Sequence, residues 1–227
     1  MATTSTYSVP KVLLFVGTGT SSGDVAAVKA ILNGLNLPFA TATSSQMNSL
    51  TEKQLLAHKL LIVPGGNSIT IGRYLTHTAT ANIHNAVING GLRYLGICAG
   101  GFFGGYSIYN GLNLTSGVWF NFYADHFKGI NTAAVEVAGS NGKLDQYWQE
   151  GPQLSGWGTV VARYPDGAPA VVEGHSGNGW VILSGIHAEA PQSWRYGMTF
   201  TTPVSVDNAY AATLVKAALS GTALPHY

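Results

Sequence analysis

Up to residue 98 the chain alternates short apolar runs with longer stretches whose apolar positions recur at helical spacing. The runs "KVLLFVG" (11–17), "LPFATAT" (37–43), "KLLIVPGGN" (59–67) and "LRYLGIC" (92–98) predict strands, the third breaking at Pro64-Gly65-Gly66. Between them the pattern predicts helices over 25–35 with Asp24 as cap, over 50–58 with Thr51 as cap, and over 78–91 with a glycine stop. The resulting β-α-β-α-β-α-β order implies an α/β fold: a mainly parallel sheet with helices on both faces. From 117 the pattern changes. Short β-type runs, "GVWFNF", "AAVEV", "LDQYWQE", "GTVVARY", "APAVVE" and "GWVILSG", are punctuated by "GSNG", "PDG" and "SGNG". These predict antiparallel strands extending the sheet, followed by a closing helix over 206–221 with Asp207 near its start and Gly221 at its end.

This reading gives a flexible segment over 1–10, one domain over 11–221 and a tail over 222–227. The formal net charge of +1 and the lack of any charge run argue against a nucleic-acid partner. No stretch approaches the length of a membrane span. Charged residues are only 9% of the chain, against about 25% in ordinary domains. An uncharged polar surface of this kind suggests a periplasmic or secreted protein, with a cytoplasmic setting as the alternative. The opening "MATTSTYSVP" has neither the basic nor the apolar region of a signal peptide, so export implies a signal already removed. Oligomeric state leaves no trace in the sequence.

Ligand sites in parallel sheets lie beyond the carboxyl ends of the strands. Three loops rich in small residues share that rim: 17–23, 64–68 and 98–105. The first, "GTGTSSG", lacks the lysine of a phosphate loop and the spacing of a dinucleotide fingerprint, so it reads as a rim loop shaping a pocket. The third holds the lone cysteine, Cys98, in "LGICAGGFFGG". Two readings stand side by side. Small neighbours on both sides permit a nucleophile elbow, in which the following helix favours thiolate and offers N–H groups to an oxyanion. A free cysteine also commonly fills space in a core.

A nucleophilic cysteine needs a base and a group to orient it. His58, His77 and His84 lie among polar neighbours and read as solvent-facing; His226 is in the tail and His175 in a turn. "WVILSGIHAEAP" differs: an apolar strand ending at His187, with Glu189 projecting to the same face at a period of two. The aromatic segment "SGVWFNFYADHF" (116–127) adds His126 and either lines a pocket or covers one. Trp148, Trp157, Trp180 and Trp194 read as core or rim. No His/Asp/Glu group shows metal-ligand spacing, so neither a metal nor another cofactor is expected.

An elbow cysteine after a parallel strand, followed far downstream by His-x-Glu, resembles the class I glutamine amidotransferase-like superfamily. Within it the chain is most similar to the N-terminal domain of eukaryotic-type biotin–protein ligases and their stand-alone bacterial relatives. The likeness rests on "GTGTSSGDV", "LIVPGGN", "GGLRYLGICAGGFFGG", "ARYPDG" and "GNGWVILSGIHAEAP". It implies a flavodoxin-like three-layer sandwich. It also implies Cys98 as nucleophile, His187 as base and then acid, Glu189 as its orienting group, and the N–H groups of Gly66 and Ala99 as oxyanion hole. Thr20, Ser21, Asn67, Gly100, Phe102 and His126 would surround a small-molecule or peptide-like substrate. Two departures matter. Phe102 stands where glutamine-handling members carry Gln in Cys-x-Gly-x-Gln, and His-Ala-Glu replaces His-Pro-Glu. Neither an ammonia-accepting synthetase domain nor a ligase domain is expected within these residues. The resemblance therefore implies a cysteine-dependent amidase-type hydrolase of unassigned substrate, or an idle binding or scaffold domain of the same fold.

Overall fold

The computed structural model describes residues 9–227; most of the segment expected as flexible, 1–10, lies outside the described residues. In chain order the first half runs β1 (Val12–Phe15), α1 (Ser22–Gly34), β2 (Phe39–Ala42), α2 (Ser44–Ser49), α3 (Glu52–Leu55), β3 (Leu60–Val63), α4 (Ser68–Tyr74), α5 (His77–Ile88), β4 (Arg93–Ile97) and α6 (Ala99–Gly104). The second half contributes β5 (Asn121–Phe122), β6 (Thr132–Gly139), β7 (Gly142–Gln149), β8 (Pro152–Gln153), β9 (Thr159–Arg163), β10 (Pro169–Ser176), β11 (Gly179–Ser184) and α7 (Val204–Ser220).

One nine-stranded sheet joins both halves in the order β2-β1-β3-β4-β11-β10-β9-β6-β7. The five strands from β2 to β11 are parallel, and β10, β9, β6 and β7 continue antiparallel. The inner strands β1 and β3 are unbroken apolar runs because both faces are covered, whereas β2, at the sheet edge, is only partly buried. Val12 and Leu14 pack with Val28 and Leu32 of α1 and Leu214 and Val215 of α7. Leu13 and Phe15 face the other way, toward Met47, Leu55, Ile83 and Val87 of α2, α3 and α5. The result is the flavodoxin-like three-layer sandwich with an antiparallel extension. Among the described residues no helix is long and apolar enough to cross a membrane.

Several local expectations change. The helix expected over 50–58 shortens to α3, capped by Thr51 as expected, and α2, which was not expected, precedes it; each opens on a capping box, Thr43 with Gln46 and Thr51 with Gln54. Helix α4 was not expected; Asn67 caps it by accepting from the Thr70 N–H. "GVWFNF" forms only the two-residue strand β5, paired with β8 outside the main sheet. His77 is exposed as expected, but His58 is buried with Nδ1 2.7 Å from the Pro10 carbonyl, and His84 sits 2.9 Å from the Leu112 carbonyl. Gly221 ends α7 in the left-handed region, φ 64°. Residues 222–227 have no regular structure but are docked: the buried Glu173 carboxylate accepts from the Leu224 N–H and contacts His226, both at 2.8 Å.

Candidate active site

Strand β4 delivers Cys98 to the carboxyl rim, and α6 starts at the next residue. Cys98 takes φ 50° and ψ −105°, a left-handed φ that costs a non-glycine residue about 1–3 kcal/mol. The strain is held from both sides. The Cys98 N–H donates to the Ser184 carbonyl at 2.7 Å, and its carbonyl accepts from Gly101 and Phe102. Gly96 has no room for a Cβ against the Gly100 backbone, and Gly100 has none against Val63. The strained strand-to-helix turn expected from the small residues is therefore present, and Cys98 is 6% exposed.

His187 and Glu189 meet, though not as expected. Strand β11 ends at Ser184, and both residues lie in the turn that follows. His187 N–H donates to the Tyr147 carbonyl at 2.9 Å, which anchors that turn to β7. The turn brings Glu189 Oε1 to 3.0 Å from His187 Nδ1. The tautomer with hydrogen on Nδ1 donates to Glu189 and leaves Nε2 facing the site; that atom has no partner within hydrogen-bond geometry among the described residues. Tyr147 and Trp194 flank the imidazole, with ring centroids 5.8 Å from it.

Asp24, expected to cap α1, is instead part of this cluster. The cap is Ser21, whose hydroxyl accepts from the Asp24 N–H. The Asp24 side chain turns inward, and its Oδ1 lies 3.0 Å from the same His187 Nδ1. It holds an ion-pair contact there without a directed hydrogen bond, which goes to Glu189. Gly65 makes the arrangement possible: a Cβ at that position would overlap Asp24 Oδ1 and crowd His187 Cε1.

The electrostatics follow from this packing. Burial alone would depress His187, but the Cys98 and Glu189 charges and the contacts with Asp24 and Cys98 outweigh it. They hold the imidazole well above its ordinary value of 6.5. Burial raises Asp24, yet the contact with His187, its charge and the Ser21 hydroxyl draw it below 3.8. Three acidic neighbours thus favour imidazolium. Asp24, His187 and Glu189 also place ligand-type atoms within 4.8 Å of one another. Both carboxylates already spend themselves on Nδ1, so an ion there would compete with the contacts that orient the ring.

Cys98 and His187 line one cavity of about 220 Å³. Of the residues expected around it, Ser21, Gly66, Asn67, Ala99 and Phe102 line it. Thr20 and Gly100 do not: Thr20 caps its own turn through the Gly17 carbonyl, and the buried Gly100 carbonyl accepts from the Tyr94 hydroxyl. His126 stands behind the wall, stacked on Phe122 at 4.1 Å with Nδ1 3.1 Å from Glu150. Ser68, from the expected rim loop, and Phe122, from the aromatic segment expected to line or cover a pocket, also line it, and Asp24, Ile69, Gln149 and Glu150, none of them expected at the site, complete the lining. The N–H groups of Gly66 and Ala99 carry no hydrogen bond among the described residues. A second hollow, lined by Lys11, Lys59, Arg93 and Lys216, lies at the amino ends of the strands, opposite Cys98.

The family model described as "Biotin-protein ligase, N terminal" matches residues 10–129. No curated protein matches the chain. Among solved structures, a glutamine amidotransferase is 23% identical with a TM-score of 0.61, covering 82% of this chain and 96% of its own. A glutamine amidotransferase from Thermotoga maritima, 11% identical with a TM-score of 0.58, covers 94% and 99%. An exo-beta-1,4-mannosidase from Opitutaceae bacterium strain TAV5 is 14% identical with a TM-score of 0.57; the match covers 93% of this chain but 36% of that one. At these identities the likeness is one of fold.

Proposed function

The chain belongs to the biotin-protein ligase N-terminal family with a glutamine amidotransferase-like fold, and from this we propose that it is a cysteine-dependent hydrolase of an amide or ester. One observation carries the reading. The strained Cys98 elbow opens into the same cavity as an imidazole whose Nδ1 is held by two carboxylates.

The chemistry runs as acyl transfer. The Cys98 thiolate adds to the carbonyl carbon, and the N–H groups of Gly66 and Ala99 receive the oxyanion. As the intermediate collapses, the C–N or C–O bond breaks, and His187 imidazolium gives its Nε2 proton to the leaving amine or alcohol. Water then attacks the thioester while neutral His187 takes its proton, and the acid leaves with Cys98 regenerated as thiolate beside imidazolium. Glu189 and Asp24 stabilise the charged ring without taking part in proton transfer.

A second reading, an idle binding domain of the same fold, is favoured by a specific contact. The Cys98 thiol donates to the Gln149 carbonyl at 3.5 Å, while His187 Nε2 has no hydrogen-bond partner among the described residues. Catalytic hydrogen bonds in an empty site are often long, so this contact alone does not decide. Labelling with iodoacetamide near neutral pH, read by intact mass, does. The hydrolase reading expects one adduct on Cys98, lost in Cys98→Ala, and turnover of activated esters lost with it. An unreactive Cys98 selects the idle domain.

A further inference from the structure

A groove of about 500 Å³ runs along the same rim, lined by residues from 68–69, 102–109 and 119–122. No charged side chain lines it. Its walls hold an unusual share of exposed apolar groups: Ile108 is 78% and Trp119 64% exposed, and Ile69, Tyr106 and Tyr109 are exposed as well. Each forgoes about 25 cal/mol per Å² of apolar area left in water. Gathered in one concavity, such groups mark a binding site rather than scattered surface.

The groove is continuous with the cavity of Cys98. Ser68, Ile69, Phe102 and Phe122 line both. Phe102 and Phe122 meet edge to face, with centroids 5.0 Å apart, and form the shared wall. A carbonyl held at Cys98 can therefore send a substituent over these rings into the groove. The cavity itself favours the same kind of molecule. Asp24 and Glu150 line it, and no lysine or arginine does. The α-carboxylate of free glutamine would meet no lysine or arginine there and two acidic groups, and the one cation, His187, is already paired with Asp24 and Glu189; Phe102 occupies the position of the glutamine-handling side chain.

We infer that the groove is a substrate subsite for a neutral aromatic or branched aliphatic group, so that the substrates are apolar-substituted amides or esters rather than free glutamine. The inference rests on the reading of Cys98 as a nucleophile. Covalent labelling tests it without knowledge of the natural substrate. Iodoacetamide and N-(2-phenylethyl)iodoacetamide are compared on Cys98 near neutral pH, each rate taken relative to glutathione. The subsite predicts that the phenylethyl reagent is favoured about tenfold or more beyond its ratio on glutathione, the gain expected from burying one ring. Its rate should saturate with concentration. Trp119→Ala, a change at an exposed side chain, should return the preference toward the glutathione value while iodoacetamide labelling is unchanged. Equal preference on Cys98 and glutathione overturns the subsite and leaves the nucleophile standing. A chain that dimerises through this face, and dissociates on Trp119→Ala, also overturns it. A Cys98 that neither reagent labels overturns the nucleophile and the subsite together.

Discussion

Asp24→Asn tests the electrostatic design of the site most directly. Asp24 Oδ1 lies 3.0 Å from His187 Nδ1, and the ligand atoms of Asp24, His187 and Glu189 lie within 4.8 Å of one another. At an effective dielectric of about 20, the attraction to imidazolium is about 5–6 kcal/mol, and the repulsion from Glu189 is at least about 3 kcal/mol. The net electrostatic contribution of Asp24 is then about 2 kcal/mol at most, before the cost of burying a second carboxylate. Stability of Asp24→Asn should therefore change by no more than about 2 kcal/mol near neutral pH. The protonation of His187 should change more, because the whole attraction to the ring is lost while Glu189 remains. The sign follows from the direction of the shift. His187 is held above its unfolded value of 6.5, so the stability it contributes is full below that pH and is lost as pH rises through its folded value. Asp24→Asn brings that loss to lower pH. The same displacement should appear in the titration of the His187 ring. Proton NMR of the imidazole from pH 5 to 10 and chemical denaturation at the two ends of the range measure both. A ring titration that stays in place, or moves to higher pH, refutes the assignment of Asp24 to the imidazolium.

Other outcomes follow from single contacts. Cys98→Gly should be more stable than Cys98→Ala by about 1–3 kcal/mol, reversing the usual order of these residues, because alanine keeps the Cβ that makes φ 50° costly; urea denaturation of the pair measures it. Gly65→Ala should displace Asp24 and His187, which its Cβ would meet, and lower Cys98 labelling at least about tenfold, the scale of a disturbed supporting group. Removing residues 222–227 should cost about 3–5 kcal/mol by leaving the Glu173 carboxylate buried without Leu224 and His226, and Glu173→Gln should recover part of the loss in thermal melts.

The parts of this molecule that local sequence can express were legible in it. Three buried apolar runs and a weaker edge run announced the parallel half of the sheet, and Gly96, Ala99, Gly100 and Gly101 announced the elbow, because both depend on residues adjacent in the chain. His187 and Glu189 were paired for a reason that does not hold: the strand stops at Ser184, and a turn anchored by Tyr147 does what a two-residue period was expected to do. Asp24 shows the limit most clearly. By type and place Asp24 suits the cap of α1 expected of it, yet Ser21 takes that role. The choice is made by the missing Cβ of Gly65 and by an imidazole that arrives from far along the chain. The same holds for "GVWFNF", whose aromatic pattern suits a strand but whose side chains instead line the groove beside Phe102. In each case the local rule fails where a distant part of the chain supplies a stronger partner. These failures gather around Cys98: a left-handed φ on a residue with a Cβ, a carboxylate buried against a second carboxylate, and apolar rings left facing water. Each is costly on its own, and natural chains keep such costs chiefly where function requires them. Their convergence on one rim is an argument for the site that does not depend on the family resemblance.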